Sequence, residues 1–414
     1  MIRVFVIDDH RTSKQNGVGT YVRNLLECLT GVENLEVHLI SFNSDEERFT
    51  IEAEPERTEY KIPICGNQLF LLQSPLSLTV LRMYIQDRKE NLFLVNHSPS
   101  EGLIRTLRKL FPLSKVVYVL HDQGWTAPLL GDTRLLETVL NGRYIPLKSK
   151  KTWKFVREYC AREKKMYRQV DAIVTLAADT VRVLRDIYRV PENKIFLIPN
   201  GARVSVPECT EETRSVIRQK WGFGPDEILL LFTGRTVYAK GIQALLKAFE
   251  QIWPECPKMR LIIAGQVFHL NEFSGLTPHS VSHITYTGLI SSERLNELYQ
   301  ISDICLLPSY TEQCSYTGIE MLAHGKLIVT SDGHCLSGMF PDEVALKASI
   351  TDADRNVDEG FTSSLAQTLL KAVSMTPEEK NKMCEKARER FLMCYTLPLM
   401  KQRYLDFFEK YDEK

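Results

Sequence analysis

The sequence predicts an α/β protein of two doubly wound domains facing across a cleft. Three observations carry that prediction. Short apolar runs alternate with amphipathic helical stretches along most of the 414 residues, the pattern that parallel sheets covered on both faces by helices require. The alternation resets once, across residues 208–226, which are polar and contain Gly222, Gly224 and Pro225. Each half holds about 200 residues, enough for a core of its own.

The elements follow in order. Strand candidates in the first half are 2–8, 36–41, 92–96, 115–120, 172–176 and 194–198, with helices at 20–30, 77–89, 102–110, 152–167 and 180–188 between them. After the reset, strands are expected at 228–233, 260–264, 283–287, 304–307 and 327–330, and a helix at 242–253. The tail, 391–414, is one helix or two, rich in Tyr, Phe and Leu. Boundaries therefore fall near residues 205 and 390, giving domains 1–205 and 206–390 and a terminal helical segment, 391–414.

Composition narrows the function classes. Lys plus Arg and Asp plus Glu balance at 52 each, which argues against wholesale nucleic-acid binding. No apolar run approaches the roughly 20 residues that span a bilayer. The first ten residues enter a strand directly and lack the layout of a secretory signal. The ten cysteines are scattered without a Cys-x-x-Cys pair, which fits reduced thiols and a cytoplasmic setting better than zinc sites or a disulfide framework.

Several segments carry chemistry. Residues 309–325 follow an apolar strand, hold Glu312 and Glu320, and place Ser315 to cap a helix that Gly325 ends. Strand ends that feed helix N-termini are where open α/β sheets bind ligands. Phe232-Thr-Gly-Arg-Thr-Val-Tyr-Ala-Lys-Gly241 occupies the same kind of position. Its Arg235 and Lys240 suit a diphosphate, one as a bidentate fork and the other as a point charge. The spacing is not that of a Walker A loop. Near the N-terminus, Gly17 and Gly19 open the first helix, but Val22 stands where a dinucleotide fingerprint has its third glycine, which disfavours a nicotinamide or flavin enzyme. His121-Asp122 closes the strand 115–120, where an imidazole can donate to a sugar hydroxyl or phosphate or serve a structural role. Asn96-His97-Ser98 sits similarly.

Gly17-Val18-Gly19, His121-Asp122, Ile198-Pro199-Asn200-Gly201, Gly234-Arg235 with Lys240-Gly241, Ala264-Gly265, Pro308-Ser309 and Glu312 with Glu320 fall in one order and spacing. In this the chain resembles the retaining family-4 glycosyltransferases (glycosyl transferases group 1, GT-B superfamily). The resemblance covers nearly the whole chain and is most specific in the second half, where the Arg–Lys and Glu–Glu spacings match together. It implies the GT-B fold, two Rossmann-like domains: an acceptor-side N-terminal domain and a C-terminal domain that grips a nucleotide diphosphate sugar, with the last helices crossing back to the first domain. It implies a metal-independent hexosyltransferase-type enzyme that needs no cofactor, UDP or GDP being equally open as the donor nucleotide.

By the same resemblance, Arg235 and Lys240 would hold the diphosphate, Glu312 the donor-sugar hydroxyls and Glu320 the ribose. His121 would contact the sugar, and Gly17 and Gly19 would approach the diphosphate. Gly234, Gly265, Ser315, Tyr316 and Thr317 would complete the donor site. The acceptor is unassigned. Departures from the family pattern are Ala177 after Leu176, Ser331-Asp-Gly-His-Cys-Leu336 in place of a Gly-Gly loop, and Gln313-Cys-Ser-Tyr-Thr317 between the glutamates. They bear on which sugar is carried. The alternatives are a GT-B epimerase, or a sugar-nucleotide-binding or scaffold protein with a decayed site.

One segment lies outside these motifs. Residues 143–168 contain ten Lys or Arg and two acids, Glu158 and Glu163. Trp153, Val156, Cys160 and Tyr167 recur at helical spacing. Such a helix either packs on the core with a solvated basic face or meets an anionic membrane or lipid-linked phosphate, which would place the protein peripherally at the inner face of the membrane.

Overall fold

The computed structural model of the protein describes residues 1–13, 16–63, 75–96, 101–144, 150–266, 276–350 and 357–412. The chain forms two compact units, Met1–Gly201 with Leu397–Lys414, and Ala202–Thr396.

The first unit is built on eight strands: β1 (Ile2–Asp9), β2 (Leu35–Ser44), β3 (Thr50–Glu54), β4 (Arg57–Pro63), β5 (Asn91–Val95), β6 (Lys115–Leu120), β7 (Ala172–Thr175) and β8 (Ile195–Leu197). Their order is β3-β4-β2-β1-β5-β6-β7-β8. Val4, Phe5, Val6 and Ile7 of β1 are fully buried, as a central parallel strand covered on both faces must be. β1 runs parallel to β2 and β5, Val4 lying opposite Val37 and Leu92.

The wholly parallel expectation is corrected at the edge, where β3 pairs antiparallel with β4. The sequence Thr-Ile-Glu-Ala-Glu lacks an apolar run because four of its five residues are exposed, and charges there protect a sheet edge from further pairing. Asn16 caps the helix Gly17–Leu29, its side-chain oxygen accepting from the Val18 amide at 2.9 Å. The terminal helix Leu397–Asp412 packs on that helix through the paired hydroxyls of Tyr21 and Tyr404.

The second unit holds β9 (Ile228–Thr233), β10 (Met259–Ala264), β11 (Ile284–Gly288), β12 (Ile304–Leu307), β13 (Leu327–Ser331) and β14 (Ala345–Ala348). All pairs are parallel, in the order β11-β10-β9-β12-β13-β14. The order reverses between β9 and β12, so the crevice beyond their carboxyl ends is a topological switch point, where sheets of this class take ligands. Asp303 fixes the opposite ends of those strands. It accepts from Arg214 at 2.6 Å, Arg218 at 2.9 Å and the Leu229 amide at 2.8 Å.

Strand β14 and the helix Pro377–Cys394 were not expected. Ala-Leu-Lys-Ala is too short for a pattern to register, and the helix has a charged sequence with only Ala387 and Phe391 buried. Its start is marked by a Thr376–Glu379 capping box. The helix expected at 180–188 is instead an α turn, Ala178–Arg182, followed by a π turn, Val183–Ile187.

Candidate functional site

In the second unit the carboxyl end of β9 turns through Gly234 (φ +135°). A side chain on Gly265, at the end of β10, would have its Cβ 1.9 Å from the Gly234 carbonyl. Gly265 is thus required by the close approach of the two backbones, and Gly234 by its positive φ, since a Cβ on it would meet no atom within 4 Å. Arg235 follows on the surface, and its guanidinium makes no hydrogen bond or ion pair with the described residues. The loop then closes in a short turn, Tyr238–Lys240. Gly241 (φ +69°) starts the next helix so close to the neighbouring loop that a Cβ there would lie 1.9 Å from the Pro308 carbonyl.

The second loop leaves β12. The Tyr310 amide donates to the Ala239 carbonyl at 2.9 Å, and the Glu312 amide to the His334 carbonyl at 3.1 Å. The first bond sets the β12 loop beside the β9 loop, and the second ties it to the loop 331–336. Lys240 Nζ then pairs with Glu312 Oε1 at 2.5 Å, and Ser309 Oγ donates to the same carboxylate oxygen at 2.8 Å. Two of the expected residues, 72 positions apart, therefore meet directly. The unusual loop 331–336 supports the arrangement: Ser331 Oγ donates to the Ser309 carbonyl, and Gly333 leaves room for the Tyr310 carbonyl, 2.4 Å from where a Cβ would be.

Ser315 caps the helix Tyr316–Ala323, its Oγ accepting from the Gly318 amide at 3.3 Å. Tyr316 and Thr317 form the first turn, whose amides point along the positive end of the helix dipole. Glu320 lies one turn on. Tyr299 Oη donates to Glu320 Oε2 at 3.0 Å and approaches Thr233 Oγ1 at 3.2 Å. Burial raises the Glu320 carboxyl above its ordinary value, against the lowering effect of the Tyr299 bond.

The remaining candidates belong to the first unit. His121 follows β6, with Nε2 3.2 Å from Asn96 Oδ1 and its ring edge-on to Tyr21, centroids 4.5 Å apart. Burial pushes its pKa down to about 3, so near neutrality it is an uncharged imidazole. Gly19 is accounted for by packing, since a Cβ would lie 2.1 Å from the Ser13 carbonyl. Gly17 opens the same helix on an exposed turn. His97 and Ser98 lie outside the described residues. Among the described residues no group of three or more His, Cys, Asp or Glu side chains gathers as a metal site.

Sequence reasoning named Ser309 and the loop holding His334 without giving either residue a role, and missed Tyr299; all three contact the expected glutamates. Ser309 had a signal, lying three residues before Glu312. Tyr299 had none, because it arrives from another element of the fold, the helix Ser292–Ile301.

The basic segment is the helix Lys150–Gln169. Val156, Cys160, Met166 and Tyr167 are buried, while Lys150, Lys151, Lys154, Arg157, Arg162, Lys165 and Arg168 are exposed. Phe155 and Tyr144 are about half exposed beside them, at 49% and 56%. Glu163, counted in the sequence as an offsetting charge, is buried. It accepts from Tyr188 Oη, and burial raises its pKa to about 8. The exposed face is accordingly more basic than the count of acids implied. No helix among the described residues is long and apolar enough to cross a membrane.

Known proteins share this architecture. A family model described as glycosyl transferases group 1 matches residues 213–390, and one described as glycosyltransferase family 4 matches residues 15–206. The alpha-monoglucosyldiacylglycerol synthase of Streptococcus pneumoniae is 28% identical over 180 residues, covering 42% of this chain and 40% of that protein. A D-inositol 3-phosphate glycosyltransferase of Rhodococcus erythropolis is 25% identical over 252 residues, covering 57% and 54%. The chain thus spans about half the length of the curated relatives it matches. Among solved structures, sucrose-phosphate synthase from Thermosynechococcus elongatus superposes with a TM-score of 0.73 at 16% identity, covering 99% of each chain. Anabaena Alr3699/HepE in complex with UDP and glucose gives 0.68 at 13% identity, covering 99% of this chain and 100% of that one. Both likenesses are of fold, that of the GT-B glycosyltransferases.

Proposed function

This chain belongs to the group 1, family-4 glycosyltransferases, and from that premise we propose that it moves a hexose from a nucleotide diphosphate sugar to an acceptor, retaining anomeric configuration and using no metal ion. The observation that carries the reading is the meeting of Lys240 and Glu312 at the switch point between β9 and β12, with exposed Arg235 beside them.

Glycosyl transfer leaves negative charge on the departing diphosphate and positive character on the sugar. Cations held by a rigid scaffold at the diphosphate lower that barrier because they need no reorganisation as charge develops. In the reading advanced here, Arg235 and Lys240 take the diphosphate. Glu312 exchanges Lys240 for donor-sugar hydroxyls, and Glu320 accepts from the ribose. Gly234, Gly265, Ser315, Tyr316 and Thr317 shape the pocket. In the first unit, taken by itself, His121 is neutral and able to donate to a hydroxyl, and Gly17 and Gly19 supply backbone amides at a helix N-terminus. UDP ranks ahead of GDP because the HepE structure carries UDP.

The acceptor side is proposed to work at the cytoplasmic face of a membrane, which the protein meets peripherally. Support comes from the exposed basic face of Lys150–Gln169 with Phe155 and Tyr144 at its margin. Basic side chains near anionic lipid contribute about 1 kcal/mol each, and the aromatic rings suit the interface. A relative named for a glucolipid product agrees with this placement.

The test is thermal stabilisation by UDP, GDP, ADP and CMP, with and without Mg²⁺, on the wild type and Arg235→Ala. A ligand at about 100 times its Kd adds nearly 3 kcal/mol to the native state. A selective shift that is independent of Mg²⁺ and lost in Arg235→Ala is expected. No shift with any nucleotide would sink the donor assignment and favour a decayed site.

A further inference from the structure

We infer that Asp358 is a positioning residue which clamps the two donor loops together through a pair of tyrosines. One carboxylate oxygen, Asp358 Oδ1, accepts from Tyr238 Oη at 2.6 Å and from Tyr310 Oη at 2.8 Å. The two rings lie stacked, with centroids 5.0 Å apart and planes 18° from parallel. Tyr310 is buried and also packs on Phe361, 5.1 Å away, on the same helix as Asp358, Val357–Ser374.

The placement gives the clamp its purpose. Tyr238 stands two residues before Lys240, and Tyr310 two residues before Glu312. The two loops are thus joined at three points, at Asp358 on one side, by the Lys240–Glu312 pair on the other, and by the Tyr310 amide to Ala239 carbonyl bond between. In the donor reading proposed above, on which this function of the clamp rests, Lys240 and Glu312 part when the diphosphate and sugar arrive. That leaves the loops without their ion pair at the moment their geometry matters most. A carboxylate accepting two phenols, each a charge-assisted bond worth more than a neutral one, keeps them in register. Burial and the bond to Asp358 both hold the Tyr238 and Tyr310 phenols in the protonated, donating form.

An acid in the first turn of a helix also has a plain structural use, since it complements the dipole. The two roles separate experimentally. In full-length protein, Tyr238→Phe, Tyr310→Phe, Asp358→Asn and Asp358→Ala are compared with wild type by amide hydrogen exchange and by UDP titration. The clamp predicts at least about tenfold faster exchange at the Tyr310 amide in Tyr238→Phe and Asp358→Ala, with the amides of β9 and β12 unchanged. It also predicts weaker UDP binding, by about tenfold, that largely disappears when the same change is made in a Lys240→Ala background, as coupled residues require. Asp358→Asn should recover part of both effects, because its oxygen still accepts.

Wild-type protection of Tyr310 in both Tyr238→Phe and Asp358→Ala would overturn the inference. So would additive losses of UDP affinity. Should Asp358→Ala fail to fold, Tyr238→Phe decides. Should the wild type bind no UDP, the donor reading falls while the exchange comparison still decides whether the clamp exists.

Discussion

Lys240 Nζ lies 2.5 Å from Glu312 Oε1, so a cation and a carboxylate each expected to touch the donor satisfy one another in the free protein. The contact is partly shielded, with side-chain exposures of 24% and 10%. Its two members lie in the loops that follow adjacent strands of the second sheet, β9 and β12. The pair keeps two charged groups compensated until a ligand replaces each partner. From this follows the first prediction. Lys240→Ala and Glu312→Ala should each lower kcat by about 10²–10³ with UDP-sugar donor and a competent acceptor. Each should also cost folding stability, by up to about 3 kcal/mol, because a shielded charge loses its partner. A kcat within a few fold of wild type would remove both residues from the reaction.

Glu320 offers a separable test. Tyr299 orients its carboxylate, and loss of a buried, charged acceptor from the nucleotide costs about 1.5–3 kcal/mol. Glu320→Ala should therefore weaken UDP at least tenfold by calorimetry while leaving a diphosphate lacking the nucleoside, such as pyrophosphate, bound as before. Equal weakening of both ligands would place Glu320 away from the ribose.

Gly241 is a position where the fold admits no side chain. Its φ of +69° and the 1.9 Å approach of the Pro308 carbonyl leave no space for a methyl group. Strain plus overlap should cost Gly241→Ala about 3 kcal/mol, seen as a fall in Tm of roughly 10 °C for a domain of this size. Gly222→Ala makes the control: its φ is +76°, but no atom lies within 4 Å of the added carbon, so only the backbone strain should be felt.

Stability should peak at mildly acid pH for reasons that can be assigned to residues. Burial holds His121 near 3, and His38 and His324 near 4, against an ordinary 6.5. Their folded pKa values are depressed, so the unfolded chain binds more protons below 6.5 and stability falls as pH drops from there. Glu163 acts in the other direction. Its carboxyl is raised from 4.5 to about 8, so the stability it gives is complete below 4.5 and is lost as pH climbs to about 8. Glu163→Gln should remove the fall in stability between about pH 6.5 and 8 in a Tm series and steepen the rise below it, where the histidines are then unopposed. A variant that keeps the wild-type slope there would show that Glu163 is ionised in the fold.

The basic helix gives the fifth prediction. Flotation with vesicles containing phosphatidylserine or phosphatidylglycerol should carry the wild type, and salt should release it. Changing Lys151, Lys154 and Arg162, all exposed, to Glu together should abolish flotation with little change in Tm. Absence of wild-type flotation would return the helix to a solvated surface.

The sequence by itself determined the class of this protein. Near-continuous apolar strands separated by amphipathic helices admit few arrangements other than parallel sheets, and the Arg235–Lys240 and Glu312–Glu320 spacings identify the loops because local spacing is a property of the chain. It also placed the helix around Val156 and Cys160, since burial of one face imposes a period. What only the tertiary structure decided are the relationships with no local signal. Lys240 meets Glu312, Asp358 gathers Tyr238 and Tyr310, and Tyr299 reaches Glu320 because neighbouring strands put the ends of distant segments side by side. Glu163 shows the same limit from the other side. An acidic letter in a basic stretch reads as surface charge, whereas burial next to Tyr188 makes it a neutral acid, and burial is set by everything packed around a residue.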